Sequence, residues 1–144
     1  MTVTAAPILR YCGFWSRVVA SVIDGFVLSM VCGAVSAATG RDLFNTDVEH
    51  FDWLAYCASL AIGWLYEASL TASPRGATLG KMAIGLRVVD AAGRPISFLR
   101  ASTRYFAKLL SGLVFCIGFL MVAFTDRKRG LHDMIAGTLV IKTD

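Results

Sequence analysis

From Trp15 to Thr39 the chain is apolar almost without interruption, with Arg17 and Asp24 its only ionisable residues. A second apolar stretch runs from Trp53 to Ala72 around Glu67, and a third from Tyr105 to Thr125 around Lys108. Each approaches the ~20 residues that an α-helix needs to cross ~30 Å of hydrocarbon. Three hydrophobic helical regions are therefore predicted. Between the second and third, Ile84–Asp90 is rich in β-branched residues, and the turn-like Ala91-Ala92-Gly93-Arg94-Pro95 follows. Thr138–Lys142 is another β-prone run that would pair with it if both lie on one side of a membrane. The pattern predicts an all-α membrane protein: a small transmembrane helical bundle with a short cytoplasmic β-hairpin.

Composition supports that reading. The 144 residues are 56% hydrophobic and 17% charged, with mean hydropathy +0.64. A soluble domain carries about a quarter charged residues, so a disordered chain and a soluble single-core enzyme are both disfavoured. The length suits one unit, a single membrane domain over residues 10–144 after a tail of residues 1–9. The opening MTVTAAPILR is too mixed for a signal sequence. Val35-Ser36-Ala37 resembles a cleavage site, but Asp24 interrupts the long run before it, which reads as a retained helix. Cys12, Cys32, Cys57 and Cys116 have no zinc-type spacing, and no metal or cofactor is expected.

Charge placement sets the orientation. Residues 1–17 carry Arg10 and Arg17 without an acid, and residues 40–52 carry Arg41 against Asp42, Asp47, Glu49 and Asp52. Residues 73–104 carry Arg75, Lys81, Arg87, Arg94, Arg100 and Arg104 against Asp90 alone. The positive-inside rule puts the amino terminus and the 73–104 segment in the cytoplasm and the acidic loop outside. One crossing of the third region would place the tail outside, yet Arg127, Lys128 and Arg129 form an inside-type cluster. A hairpin or re-entrant pair, breaking at Ser111-Gly112 or Gly118, would keep the tail in the cytoplasm, and this topology is preferred.

Acids within a span are costly and usually face a partner or a wet cavity. On antiparallel helices Asp24 and Glu67 both fall roughly 8–14 Å below the cytoplasmic interface and can meet at one level. Arg17 lies two turns before Asp24 on the same face. Arg100, Arg104 and Lys108 form a basic stripe that either snorkels to anionic headgroups or turns inward; Lys108, the deepest, reads as inward. Stripes of small residues (Ser29, Gly33, Ala37 and Ala55, Ser59, Gly63) permit close helix approach or arise by chance. Trp15, Trp53 and Trp64 suit interfacial or interhelical positions.

Soluble-type motifs fall away. Gly76-Ala-Thr-Leu-Gly80-Lys81 is one residue short of a phosphate loop and has Met82 where Ser or Thr should follow. His132-Asp133 lacks a matching nucleophile, so no enzyme is expected, and Asp133 instead anchors a turn ending at Gly137. Topology accounts for the basic loops without nucleic acid.

Taken together, the residues resemble the RDD family of small bacterial and archaeal membrane proteins over nearly the whole chain. The likeness rests on Gly13-Phe14-Trp15-Ser16-Arg17 through Ile23-Asp24, on Thr78-Leu79-Gly80-Lys81 through Asp90, on Gly93-Arg94-Pro95-Ile96-Ser97 and Arg104-Tyr105, and on Arg129–Val140. The resemblance maps the family's Arg and two Asp onto Arg17, Asp24 and Asp133. His132 departs from the Gly of many relatives. A cation/proton antiport role proposed for some members, and fusion of others to membrane systems, are what the resemblance implies about function. The residues singled out are thus Arg17, Asp24, Glu67, Arg104, Lys108 and Asp133. The reading preferred from sequence is a multi-pass inner-membrane protein related to transport of Na⁺ or H⁺. A non-transporting accessory or scaffold subunit is the alternative. Either acts in the lipid bilayer as a homo-oligomer or with other membrane subunits.

Overall fold

The computed structural model describes residues 10–113, 124 and 128–143. Helix α1 (Phe14–Thr39) starts after Gly13 and stops at Gly40, whose left-handed φ of 69° turns its N–H back to the Ser36 carbonyl. Its exposed side chains Trp15, Val19, Val22, Phe26 and Met30 follow helical spacing and make one apolar face. Among the described residues α1 is the one helix long and apolar enough for a membrane span. Helix α2 (Trp53–Ala72) has the length, but Trp, Tyr, Ser and Glu67 dilute its hydropathy. Asp52 caps α2 by accepting from the N–H groups of Leu54 and Ala55, and its pairing with Arg41 closes the acidic loop. These donors, the Ala55 N–H foremost, hold the Asp52 carboxyl below its usual range.

The 73–104 segment folds into structure of its own. Short helix α3 (Leu79–Ala83) leads into strand β1 (Leu86–Asp90). Asp90 then makes the turn by accepting from the backbone of Ala92 and Arg94, while Gly93 supplies a φ of 78°. Helix α4 (Phe98–Leu113) packs on α2 and on α5 (Leu131–Ala136), and strand β2 (Thr138–Lys142) closes the chain. β1 and β2 pair antiparallel with Val88 opposite Val140. The expected pairing of these runs is present, but it joins distant segments and is not a hairpin. The turn after Asp90 feeds α4, so the strand meets the tail instead.

Tyr11 bridges Ile141, and the Lys142 N–H donates to the Arg10 carbonyl. The start of the chain, the middle segment and the tail therefore lie together. The proposed bend of the third apolar region falls mostly outside the described residues, including Gly118. Ser111-Gly112 is no break within them, because α4 runs through both to Leu113. Cys116 also lies outside.

The core is small-residue and β-branched: Cys12, Ala20, Ala68, Leu86, Val88, Ile96, Ala101 and Val140. Trp64 is interhelical, donating to the Ser102 hydroxyl on α4, whereas Trp15 and Trp53 are exposed. A second cluster joins Cys32, Leu43 and Ala55 at the far end of α1 and α2. The two small-residue stripes do not face each other. A Cβ on Gly33 would meet nothing within 4 Å, and one on Gly63 would lie 2.9 Å from the Tyr105 hydroxyl of α4. The close approach of α1 is instead to α3, where a Cβ on Gly80 would lie 2.8 Å from Asp24 Cγ.

Candidate functional site

The buried charges form two neighbouring groups at the meeting of α1, α2, α3, α4 and α5. Asp24, in the middle of α1, faces the start of α3. Its Oδ1 accepts from the Tyr66 hydroxyl at 2.8 Å and the Gly80 N–H at 2.7 Å, and its Oδ2 accepts from the Thr78 hydroxyl at 2.5 Å. Thr78 makes no side-chain cap for α3, so the carboxylate from α1 supplies that role across the interface. This needs the backbone of α3 against α1, which only a residue without a Cβ allows. The glycines of the apparent phosphate loop serve packing: Gly80 meets α1, and Gly76 (φ 62°) lies against the Val88 carbonyl of β1.

The second group contains the other acids. Asp133 on α5 is fully buried and is held by Arg17 from α1 and by Arg104 Nε from α4 at 2.8 Å. It also accepts from the Gly130 N–H at 3.3 Å, tying off the first turn of α5. Burial alone would raise its pKa, but Arg104 and Arg17 outweigh that and hold the carboxyl well below the usual range. On α2, Glu67 Oε1 accepts from Lys108 and lies 3.7 Å from Lys81 Nζ and 3.9 Å from Arg104 Nη1. Arg104 thus links the two acids. Arg17 also donates to the Lys128 carbonyl at 2.7 Å, fastening the tail to α1.

Several expectations hold in position but not in partner. Lys108 and Arg104 turn inward, whereas Arg100 is exposed. Asp133 does anchor a turn that ends at the left-handed Gly137 (φ 64°). Asp24 and Glu67, however, are not a pair, and Arg17 serves Asp133 instead of Asp24. The heptad spacing put Arg17 and Asp24 on one face, but α3 wedges against Asp24 while α5 reaches Arg17. Lys81, Tyr66, Thr78 and His132 were not singled out as members of the site. Lys81 had a legible signal in Gly80-Lys81, a glycine followed by a lysine with no phosphate-loop explanation. Tyr66 and Thr78 had none, because their role depends on which helix lies opposite.

Burial, reinforced by Lys108 and Arg104 and opposed by Glu67, pushes the Lys81 pKa down to about 7. His132 is buried beside Asp133, and burial with the Arg104 charge pushes it down to about 3, so its imidazole is neutral near pH 7. A base whose folded pKa is depressed binds fewer protons folded than unfolded, so stability falls as pH drops below the unfolded value near 6.5. Between pH 6.5 and pH 5 the loss attributable to His132 is about 2 kcal/mol. Chemical unfolding in neutral detergent should show this slope, and His132→Gln should flatten it. An equal slope in the variant would remove His132 as its source.

Beside these charges is a cavity of about 430 Å³ lined by Phe14, Val18, Ser21 and Val22 of α1 together with Arg17, Lys81, Arg104, Lys108, His132 and Val140. No carboxylate is among the lining residues. No cluster of His, Cys, Asp and Glu suited to a metal ion occurs among the described residues.

A family model described as RDD family matches residues 11–137. The Bacillus subtilis (strain 168) protein named "Uncharacterized protein YxaI" is 37% identical, covering 90% of this chain and 95% of its own. "Uncharacterized membrane protein YteJ" of the same organism is 33% identical over 91% of this chain and 80% of its own. "Proline-rich antigen" of Mycobacterium leprae (strain TN) is 26% identical over 89% of this chain and 60% of its own. No solved structure matches.

Proposed function

The chain belongs to the RDD family, and we propose that it is a multi-pass inner-membrane protein acting as a non-transporting accessory or scaffold subunit. Its amino terminus, middle segment and tail are cytoplasmic in this reading. The apolar outer face of α1, the positive-inside distribution of the loops and the membrane-protein name of the YteJ relative support a place in the bilayer. The sharing of one sheet by the tail and the middle segment supports a common side.

The observation that carries the choice against transport is the saturation of the carboxylates. Asp24 accepts three hydrogen bonds, Glu67 and Asp133 each face at least two cations, and none of them lines the cavity. A carboxylate that exchanges Na⁺ or H⁺ must release its protein partners to the ion. Here that release would undo the contacts between α1 and α3 or between α4 and α5. The acids read as clasps that hold five helices in register.

In reconstituted vesicles, an imposed ΔpH should decay on adding Na⁺ or Li⁺ no faster than in protein-free vesicles. Exchange above that level, abolished by Asp24→Asn, would overturn this reading in favour of cation/proton antiport. Crosslinking followed by mild purification should recover the protein with other membrane subunits or further copies of itself. Recovery as a free monomer alone would count against the accessory role.

A further inference from the structure

The clasp has more positive charge than it uses. Arg17, Lys81, Arg104 and Lys108 converge on Glu67 and Asp133, while Asp24 is taken up by Tyr66, Thr78 and the start of α3. Four basic side chains therefore face three carboxylates, Asp24 being reached from Lys81 through the Thr78 hydroxyl, which accepts from Lys81 Nζ at 3.3 Å. Buried charge without a counter-ion is costly, and these four side chains all line the same cavity. Their hydrogen-bonding capacity is also incomplete. Among the described residues, Arg104 Nη1 and Arg17 Nε are buried without a hydrogen-bond partner, and the Arg104 side chain is only 3% exposed. Guanidinium N–H groups and ammonium groups at one site suit the several acceptor oxygens of a phosphate.

The remaining wall is of opposite character. Phe14, Val18 and Val22 come from the first turns of α1, and Val22 also belongs to the exposed apolar face that continues through Phe26 and Met30. A ligand that fills the cavity thus has an anionic head against the cations and an apolar part along α1. From this juxtaposition we propose that the cavity binds the phosphate group of an anionic membrane lipid, its acyl chain lying on the outer face of α1. The lipid phosphate would supply the missing negative charge, and Phe14 and Arg17 in the first turn of α1 turn the cavity toward the end of that helix which this reading places at the cytoplasmic headgroups. The proposal rests on the membrane placement above but not on the accessory role, so failure of one leaves the other standing.

Native mass spectrometry of the full chain, delipidated in neutral detergent, tests this by titration with phosphatidylglycerol, phosphatidylcholine and inorganic phosphate in separate arms. One phosphatidylglycerol should bind at least tenfold more tightly than phosphatidylcholine. Lys108→Gln should weaken that binding about tenfold, with Lys81 and Arg104 still holding Glu67. Val22→Trp, which fills the apolar side without touching the charges, should weaken it as well; thermal unfolding of each variant confirms that it is folded. Binding of inorganic phosphate as tight as that of the lipid would support the phosphate site with the free ion as its ligand. Equal binding of both lipids with no binding of phosphate would overturn the proposal, as would unchanged affinity in both folded variants.

Discussion

Replacing Asp133 by alanine is expected to destabilise the folded protein by about 3–5 kcal/mol, the range for breaking a buried ion pair by removing one partner. Asp133 is completely buried between Arg17 and Arg104. Its removal leaves two guanidinium groups facing each other with no carboxylate between them, beside Lys81 and Lys108. The first turn of α5 also loses the acceptor for the Gly130 N–H. The damage should spread to the tail, because Arg17 holds the Lys128 carbonyl only while its guanidinium is fixed. Thermal unfolding in neutral detergent should fall by about 10 °C or more. Labelling of Cys12, which is buried against β2, should rise when followed by peptide-resolved mass spectrometry. A change under about 1 kcal/mol would mean that the Asp133 pairs contribute little beyond solvated ones. Asp133→Ala combined with Arg104→Met should recover part of the loss, since the second change removes one stranded charge.

Gly80→Val is expected to be comparably severe. A Cβ at Gly80 would lie within contact of the Ala20 carbonyl and 2.8 Å from Asp24 Cγ, and neither backbone nor carboxylate can yield without parting α1 from α3. Overpacking alone costs about 1–3 kcal/mol. Separation also strips Asp24 of the Gly80 N–H and Thr78 hydroxyl, and bonds to a charged group contribute about 1.5–3 kcal/mol each. A loss of at least about 4 kcal/mol follows from the lower ends of these ranges, measured by the same unfolding assay. Gly33→Ala, on α1, is the control. A Cβ there meets nothing within 4 Å, so the change should be neutral or stabilise by up to about 1 kcal/mol. Equal effects at Gly33 and Gly80 would show that the cost at Gly80 is not one of close approach.

The contrast between those glycines shows where sequence reading stops. Gly33 stood in a regular small-residue stripe, yet a Cβ there would meet nothing within 4 Å, while Gly80 stood in an imperfect phosphate-loop pattern and lies at the close approach of α3 to α1. Spacing along a helix says which residues share a face. It does not say what lies opposite. The same limit separates Arg17 from Asp24: two helical turns put them on one face, yet α5 meets one and α3 the other. Lys108 could be assigned inward because depth in an apolar segment leaves a lysine few alternatives to an acid. Arg104 and Arg100, nearer the polar segment, were distinguishable only once α4 had docked on α5.

The sequence by itself determined the extents of α1 and α2, a strand within Ile84–Asp90 (which the structure starts at Leu86, after Ile84 has ended α3) with the turn that follows it, the turn at Gly137 and the family. These depend on residues near one another in the chain: apolar runs, caps and left-handed glycines. It also nominated the charges, since a carboxylate or lysine in an apolar run is conspicuous wherever it ends up. Only the tertiary structure decided which charge meets which, that Asp24 caps α3 from a neighbouring helix, and that cations outnumber acids around a cavity. Pairing of distant charges depends on the relative rotation of helices. That rotation is set by packing, through a glycine at one crossing and a tyrosine at another, and no local pattern records it.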